Sequence, residues 1–235
     1  MKKCKSLLAT TVLVSLFSAL PMEKASAETH VPTYEEAKAL EPEITKEQYD
    51  MFYKDFSTAI VEDEKEVSII LQEPESDLEA SFTPKAGDII YTNNAFLSEL
   101  GAPIPGHAAI YVGDGKIVEI NGYGHIPATH SYSNFVKTKR GTKSDRWIVR
   151  VYRTSNTTNA IKASTYAKSL SGKNIPYGIF TSMKDKSKLY CSKLVWQAYY
   201  FGAGSSSVVN TNPETVIPKY LAGNIKGTSL KHTYR

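Results

Sequence analysis

Hydrophobic and polar positions divide the chain into three stretches. Residues 7–20 form an apolar run behind Lys2, Lys3 and Lys5. Further on, Tyr49, Phe52, Tyr53 and Phe56 recur at helical spacing on one face, and Ile60 and Val61 extend it. Thr45 with Gln48 is a capping-box pattern ahead of that face. The β-branched piece at 67–71 fits a strand or a helix end, and 73–79 reads as an acidic loop. From Pro84 the period shortens. Segments 88–92, 107–112, 116–121 and 147–153 read as strands, and Gly113-Asp114-Gly115 between the second and third is a hairpin signal. Helical patterns cover 159–170, ended by Gly172, and 191–201, ended by Gly202, with Leu194, Val195, Ala198 and Tyr199 as a buried face. Strands followed by helices predict an α+β domain, its helices packed on an antiparallel sheet, behind a helical N-terminal segment.

The first stretch reads as an export signal. A basic start, an apolar run of 14 residues and Ala25-Ser26-Ala27 as a small-x-small cleavage site make residues 1–27 a signal peptide. The run is short for a membrane span, and Cys4 precedes it, where a lipoprotein cleavage motif would not place it. Removal leaves 208 residues, ample for one core. It lowers the formal charge from +4 to +1 and removes one of the two cysteines, so Cys191 is the lone thiol of an exported protein. The expected localisation is extracytoplasmic, in association with the cell wall.

The small net charge hides a division. Residues 28–82 carry 16 acids and 4 lysines, whereas 83–235 carry 20 basic residues and 7 acids. The expected organisation is therefore a signal peptide (1–27), an acidic, mainly helical segment (28–82) and a basic domain (83–235). The acidic segment reads as a helical appendage packed on the main domain or as a pro-segment over a basic cleft.

Candidate chemistry centres on Cys191. It opens a predicted helix, where unpaired N–H groups and partial positive charge favour a thiolate and can hold an oxyanion. The hairpin supplies partners. A three-residue loop with Gly115 in the left-handed region pairs residue 107 with 121 and sets Glu119 diagonally beside His107 on one face; a two-residue turn pairs 107 with 122 and sends Glu119 to the other. The first register gives a nucleophile, a base and an orienter. His125 and His130 fall in a polar loop after the hairpin, without a metal-ligand spacing. The cluster Lys137, Lys139, Arg140, Lys143 and Arg146 suits an anionic wall polymer, an acidic lipid or the chain's own acidic segment; nucleic acid does not suit an exported protein.

The stretch Gly106-His107-Ala108-Ala109-Ile110-Tyr111-Val112-Gly113-Asp114-Gly115, with Glu119 following, resembles the histidine hairpin of NlpC-type cysteine peptidases. Tyr190-Cys191-Ser192-x-Leu194-Val195 resembles their nucleophile helix. The order His, Glu, Cys is that of the circularly permuted, YiiX/YaeF-like papain-like amidases, and the resemblance covers about 84–222. Ala86-Gly87-Asp88-Ile89-Ile90 and Ile175-Pro176-Tyr177-Gly178 also look like that family, whereas Tyr-Cys-Ser-Lys departs from the Asp-Cys-Ser-Gly of ordinary members. The resemblance implies Cys191 as nucleophile, His107 as base and acid, Glu119 as orienter and Tyr177 near the oxyanion. It implies a secreted thiol hydrolase that cleaves amide or peptide bonds of the cell envelope, such as a peptidoglycan stem peptide, and needs no metal or organic cofactor. Permuted relatives resembling lecithin:retinol acyltransferase act on acyl lipids, so a lipid hydrolase or acyltransferase of the same fold is the first alternative. A non-enzymatic module that captures amino acids or peptides is the second.

Overall fold

A computed structural model describes residues 32–72, 82–94, 106–140 and 146–235. The expected signal peptide, the acidic loop at 73–79 and Lys143 lie outside these residues. Among them, six strands form one antiparallel sheet in the order β4-β3-β2-β1-β5-β6. The strands are β1 (Ile89–Thr92), β2 (His107–Gly113), β3 (Lys116–Glu119), β4 (Ala128–Ser131), β5 (Val149–Thr154) and β6 (Thr228–Tyr234). The helices are α1 (Tyr34–Leu40), α2 (Lys46–Gln72), α3 (Tyr132–Arg140), α4 (Thr157–Leu170), α5 (Cys191–Gln197) and α6 (Leu221–Asn224). The fold is α+β, with helices packed on an antiparallel sheet.

Alternation along the strands sorts the core into two layers. Ile89, Ala108, Ile110, Val112, Val118 and Ile120 face α4 and α5, where Ala163, Ala167, Leu194 and Val195 meet them. Ile90, Ala109, Tyr111, Ile117 and Val149 face the other way, against Tyr132, Phe135 and Val136 of α3. With both faces covered, β1 and β2 are buried almost throughout.

The acidic segment is built into the first layer. Phe52, Tyr53, Phe56 and Ala59 of α2 belong to the same core cluster as Cys191 and Leu194. The capping box at Thr45 and Gln48 forms in both directions, and the 67–71 piece is the last part of the continuous helix α2. Val61 departs from the expected face: it is exposed, and the buried stripe runs through Ala59, Asp63 and Val67 instead. The charge division appears as direct contact. Lys219 pairs with Asp63 and Glu66, each at 3.0 Å, and Arg150 pairs with Glu66 at 2.6 Å. Arg146 of the basic cluster donates to Ser68 on α2 at 2.5 Å.

Two helical stretches differ from the expectation. Residues 132–140, for which no element was expected, form helix α3, with Lys137, Lys139 and Arg140 in its last turn. The pattern at 191–201 is an α-helix only to Gln197. It continues as a π-helical turn over Ala198–Ala203, and Gly204, at φ 101°, ends it instead of Gly202. Gly202 instead permits close packing, since a Cβ there would meet Tyr166 Cβ at 2.6 Å.

Candidate active site

The hairpin sets the first part of the site. Asp114 (φ 54°) and Gly115 (φ 68°) both lie in the left-handed region, which makes a two-residue primed turn. Such a turn pairs Gly113 with Lys116, as observed. A bulge between Tyr111 and Gly113 then shifts the register, so that Ile110 faces Val118. From there to the open end, the ladder runs as the three-residue loop would have set it, and His107 and Glu119 share a face. His107 Nε2 lies 2.5 Å from Glu119 Oε2. Gly106 allows the approach into β2: at φ 75° it has no room for a Cβ, which would run into the Thr92 carbonyl and the Tyr91 ring.

Glu119 has a second imidazole. The segment read as a polar loop contains β4, and pairing of Glu119 with Ala128 puts His130 diagonally beside it. His130 Nδ1 lies 2.7 Å from Glu119 Oε1. The alternation in Ala128-Thr129-His130-Ser131 was the available signal, too short and polar to stand out from a loop. His125 is exposed and takes no part. Burial pushes the Glu119 carboxyl up, but hydrogen bonds from His107 and His130, with their charges, outweigh it and hold it down at about 2.

Cys191 is fully buried at the first residue of α5. The preceding Tyr190 gives no side-chain cap, so the N–H groups of the first turn have no acceptor from that side chain. The helix is pinned all round: Ser192 Oγ donates to the Val216 carbonyl at 2.6 Å, and Gln197 donates to the Met183 and Asp185 carbonyls. Lys193, also buried, donates to Thr181 Oγ1 at 2.6 Å, and burial brings its ammonium down to about 8 against the charges of Asp185 and Glu41.

His107 joins the two parts. Its ring is wholly buried, and Nδ1 has no conventional hydrogen-bond partner. Burial lowers the imidazole's affinity for a proton, yet the charge of Cys191, followed by the hydrogen bond and charge of Glu119, raises its pKa to about 9. With Nε2 held by Glu119, the nitrogen left for Cys191 is Nδ1. Lys139 is a further cation of this neighbourhood: burial lowers its pKa, while the charges of Glu119 and Cys191 work the other way.

Tyr177 reaches the site through the chain. A parallel bridge pairs it with Leu189, two residues before Cys191, and Gly178 N–H donates to the Leu189 carbonyl at 3.0 Å. Tyr177 is buried. Desolvation first, then the charge of Cys191, pushes its phenol up, so it stays a neutral donor. His107 and Glu119, from the hairpin, are in hydrogen-bond contact, while Tyr177 is tied through its backbone to Leu189, two residues before Cys191.

No helix among the described residues is long and apolar enough to cross a membrane. Residues 48–228 match the family described as lipoprotein N-acylation protein LnsA-like. An uncharacterised 30.3 kDa protein of Bacillus thuringiensis is 39% identical over 165 residues, which cover 65% of this chain and 58% of the relative. The chain thus spans less than two thirds of that relative's length. A solved structure, that of the metalloprotein yiiX from Escherichia coli O157:H7, aligns with 15% identity and a TM-score of 0.45, over 65% of this chain and 99% of that one. The family match covers more than half of the chain, from α2 to the start of β6, and takes in every residue of the hairpin and of the cysteine helix. The chain belongs to the LnsA-like lipoprotein N-acylation family.

Proposed function

We propose that the protein is an envelope-associated cysteine acyltransferase that takes an acyl group from an ester lipid onto Cys191 and passes it to an amine. The observation that supports this reading is the buried arrangement in which Glu119 holds His107 Nε2 and leaves Nδ1 for Cys191 at a helix start. In the first half-reaction the Cys191 thiolate attacks the ester carbonyl. The new S–C bond makes a tetrahedral oxyanion, received by the Cys191 N–H and the Tyr177 hydroxyl. The C–O bond breaks, and His107 gives its Nδ1 proton to the departing alkoxide, which leaves a thioester. In the second, an amine attacks the thioester, neutral His107 takes its proton, and the thiolate leaves as the amide forms. The family description favours the terminal amine of a lipoprotein as acceptor. Water in its place would make the enzyme a hydrolase.

Amide cleavage in envelope peptides, the reading that the motif resemblance supports, shares the thioester and differs in the donor. Vesicles of a diacyl phospholipid with one labelled acyl chain, and a muropeptide, presented separately to the purified full chain, separate the two. Acyl transfer predicts hydroxylamine-labile label on Cys191 from the vesicles, passed on to an amine-terminated lipopeptide and absent in Cys191→Ala. Turnover of the muropeptide alone would overturn it in favour of the amidase.

A further inference from the structure

Glu41 belongs to the acidic segment, just after α1, yet its side chain is almost wholly buried against the basic domain. Its Oε1 accepts the Ile179 N–H at 2.5 Å and the Tyr123 hydroxyl at 2.7 Å. Its Oε2 accepts the Phe180 N–H at 3.3 Å, and Lys188 Nζ lies 3.8 Å away. A buried carboxylate with three hydrogen-bond donors and a nearby cation is held firmly, and it holds its donors in return.

Those donors converge on Tyr177. Ile179 and Phe180 follow it in the chain, and the Tyr123 ring meets the Tyr177 ring edge-on at 4.9 Å between centroids. Gly178 lies between them, and a Cβ there would meet Lys188 Cδ at 2.5 Å and Glu41 Oε2 at 3.3 Å. Glu41 therefore fixes Tyr177 from two directions, along the backbone through residues 179–180 and across the ring through Tyr123. On the other side of Tyr177 the bridge to Leu189 leads to Cys191.

We propose that Glu41 is a positioning residue that sets the Tyr177 hydroxyl at the oxyanion, so that the N-terminal segment completes the acyl-transfer site instead of covering it. This rests on the acyl-transfer reading of Cys191. Glu41 touches no reacting atom; it acts through Tyr123 and the 177–180 backbone.

Two reactions of the same thiol separate positioning from scaffolding. Iodoacetamide alkylates Cys191 by displacement, with no oxyanion, whereas p-nitrophenyl butyrate acylates it through one and releases p-nitrophenolate. Both rates are measured on the full chain for the wild type, Glu41→Gln, Tyr123→Phe, His107→Ala and Cys191→Ala. The expected result is that Glu41→Gln and Tyr123→Phe slow acylation by about tenfold or more while alkylation and its pH dependence stay at the wild-type level. His107→Ala slows both reactions. Wild-type acylation in both Glu41→Gln and Tyr123→Phe overturns the proposal and leaves the acyl-transfer reading intact. An equal fall of acylation and alkylation also overturns it, because that is the mark of a loosened fold. If the wild type releases p-nitrophenolate no faster than Cys191→Ala, the acyl-transfer reading fails and the role of Glu41 falls with it.

Discussion

His107 Nε2 and Glu119 Oε2 lie 2.5 Å apart because a bulge in the hairpin offsets the register of its two-residue turn. Without the bulge, Glu119 would leave the face that carries His107, and the imidazole would lose its anchor. The pair depends on backbone geometry at 111–115, far along the strands from its own side chains.

Loss of the Glu119 charge should reach the chemistry directly. Glu119→Gln keeps the shape but removes the carboxylate shared by His107 and His130. Turnover should fall by about 100-fold or more, and the His107 imidazole should titrate well below its present value of about 9. NMR titration of the ring, beside steady-state rates, checks both. An unchanged titration would mean that Glu119 does not set the protonation of His107.

The same pair gives stability a pH window. Glu119 goes from 4.5 to about 2 on folding, so its contribution is present above pH 4.5 and lost as pH falls through about 2. His107 goes from 6.5 to about 9, so its contribution is present below pH 6.5 and lost as pH rises through about 9. The urea midpoint of the wild type should exceed that of Glu119→Gln most between about pH 4.5 and 6.5, and the gap should narrow by pH 10. A gap independent of pH would contradict this assignment.

Lys219 is nearly buried between Asp63 and Glu66. Lys219→Met leaves Asp63 with the Tyr91 hydroxyl but without its cation, and should cost about 3 kcal/mol of unfolding free energy. Adding Asp63→Asn should recover part of the loss. Chemical denaturation of the single and double variants measures the coupling.

Phe56 is fully buried in the core layer that also holds Cys191. Phe56→Ala should destabilise the whole chain by about 3–5 kcal/mol in one cooperative transition. A separate early transition of the N-terminal helices would show that they are an independent appendage.

The sequence made the strands of the hairpin, the cysteine helix and the capping box of α2 legible, because each carries a local signal: alternation, helical spacing or a turn residue. The site's second ring was not. His130 lies on an edge strand of four residues with little apolar content, and β6 is mostly exposed, so neither has a hydrophobic pattern to read. Glu41 looks like one of sixteen acids in its segment, and only the fold brings it to Ile179, 138 positions away. The register of Glu119 was left open between two turns because a bulge has no sequence signature in Tyr-Val-Gly. The buried stripe of α2 leaves Val61 exposed and runs through Asp63, which meets Lys219, a contact 156 positions away that no local pattern shows.

The most direct test of the central claim, that Cys191 is a thiol activated by His107, is its rate of alkylation against pH in the wild type and in His107→Ala. Cys4 is the other cysteine of the chain, so label found in Cys191→Ala is subtracted as the blank. With His107 protonated up to about pH 9, the account predicts fast labelling at pH 6–7, slowed by about tenfold or more in His107→Ala. Labelling that is slow below pH 8 and identical in the two proteins would contradict it.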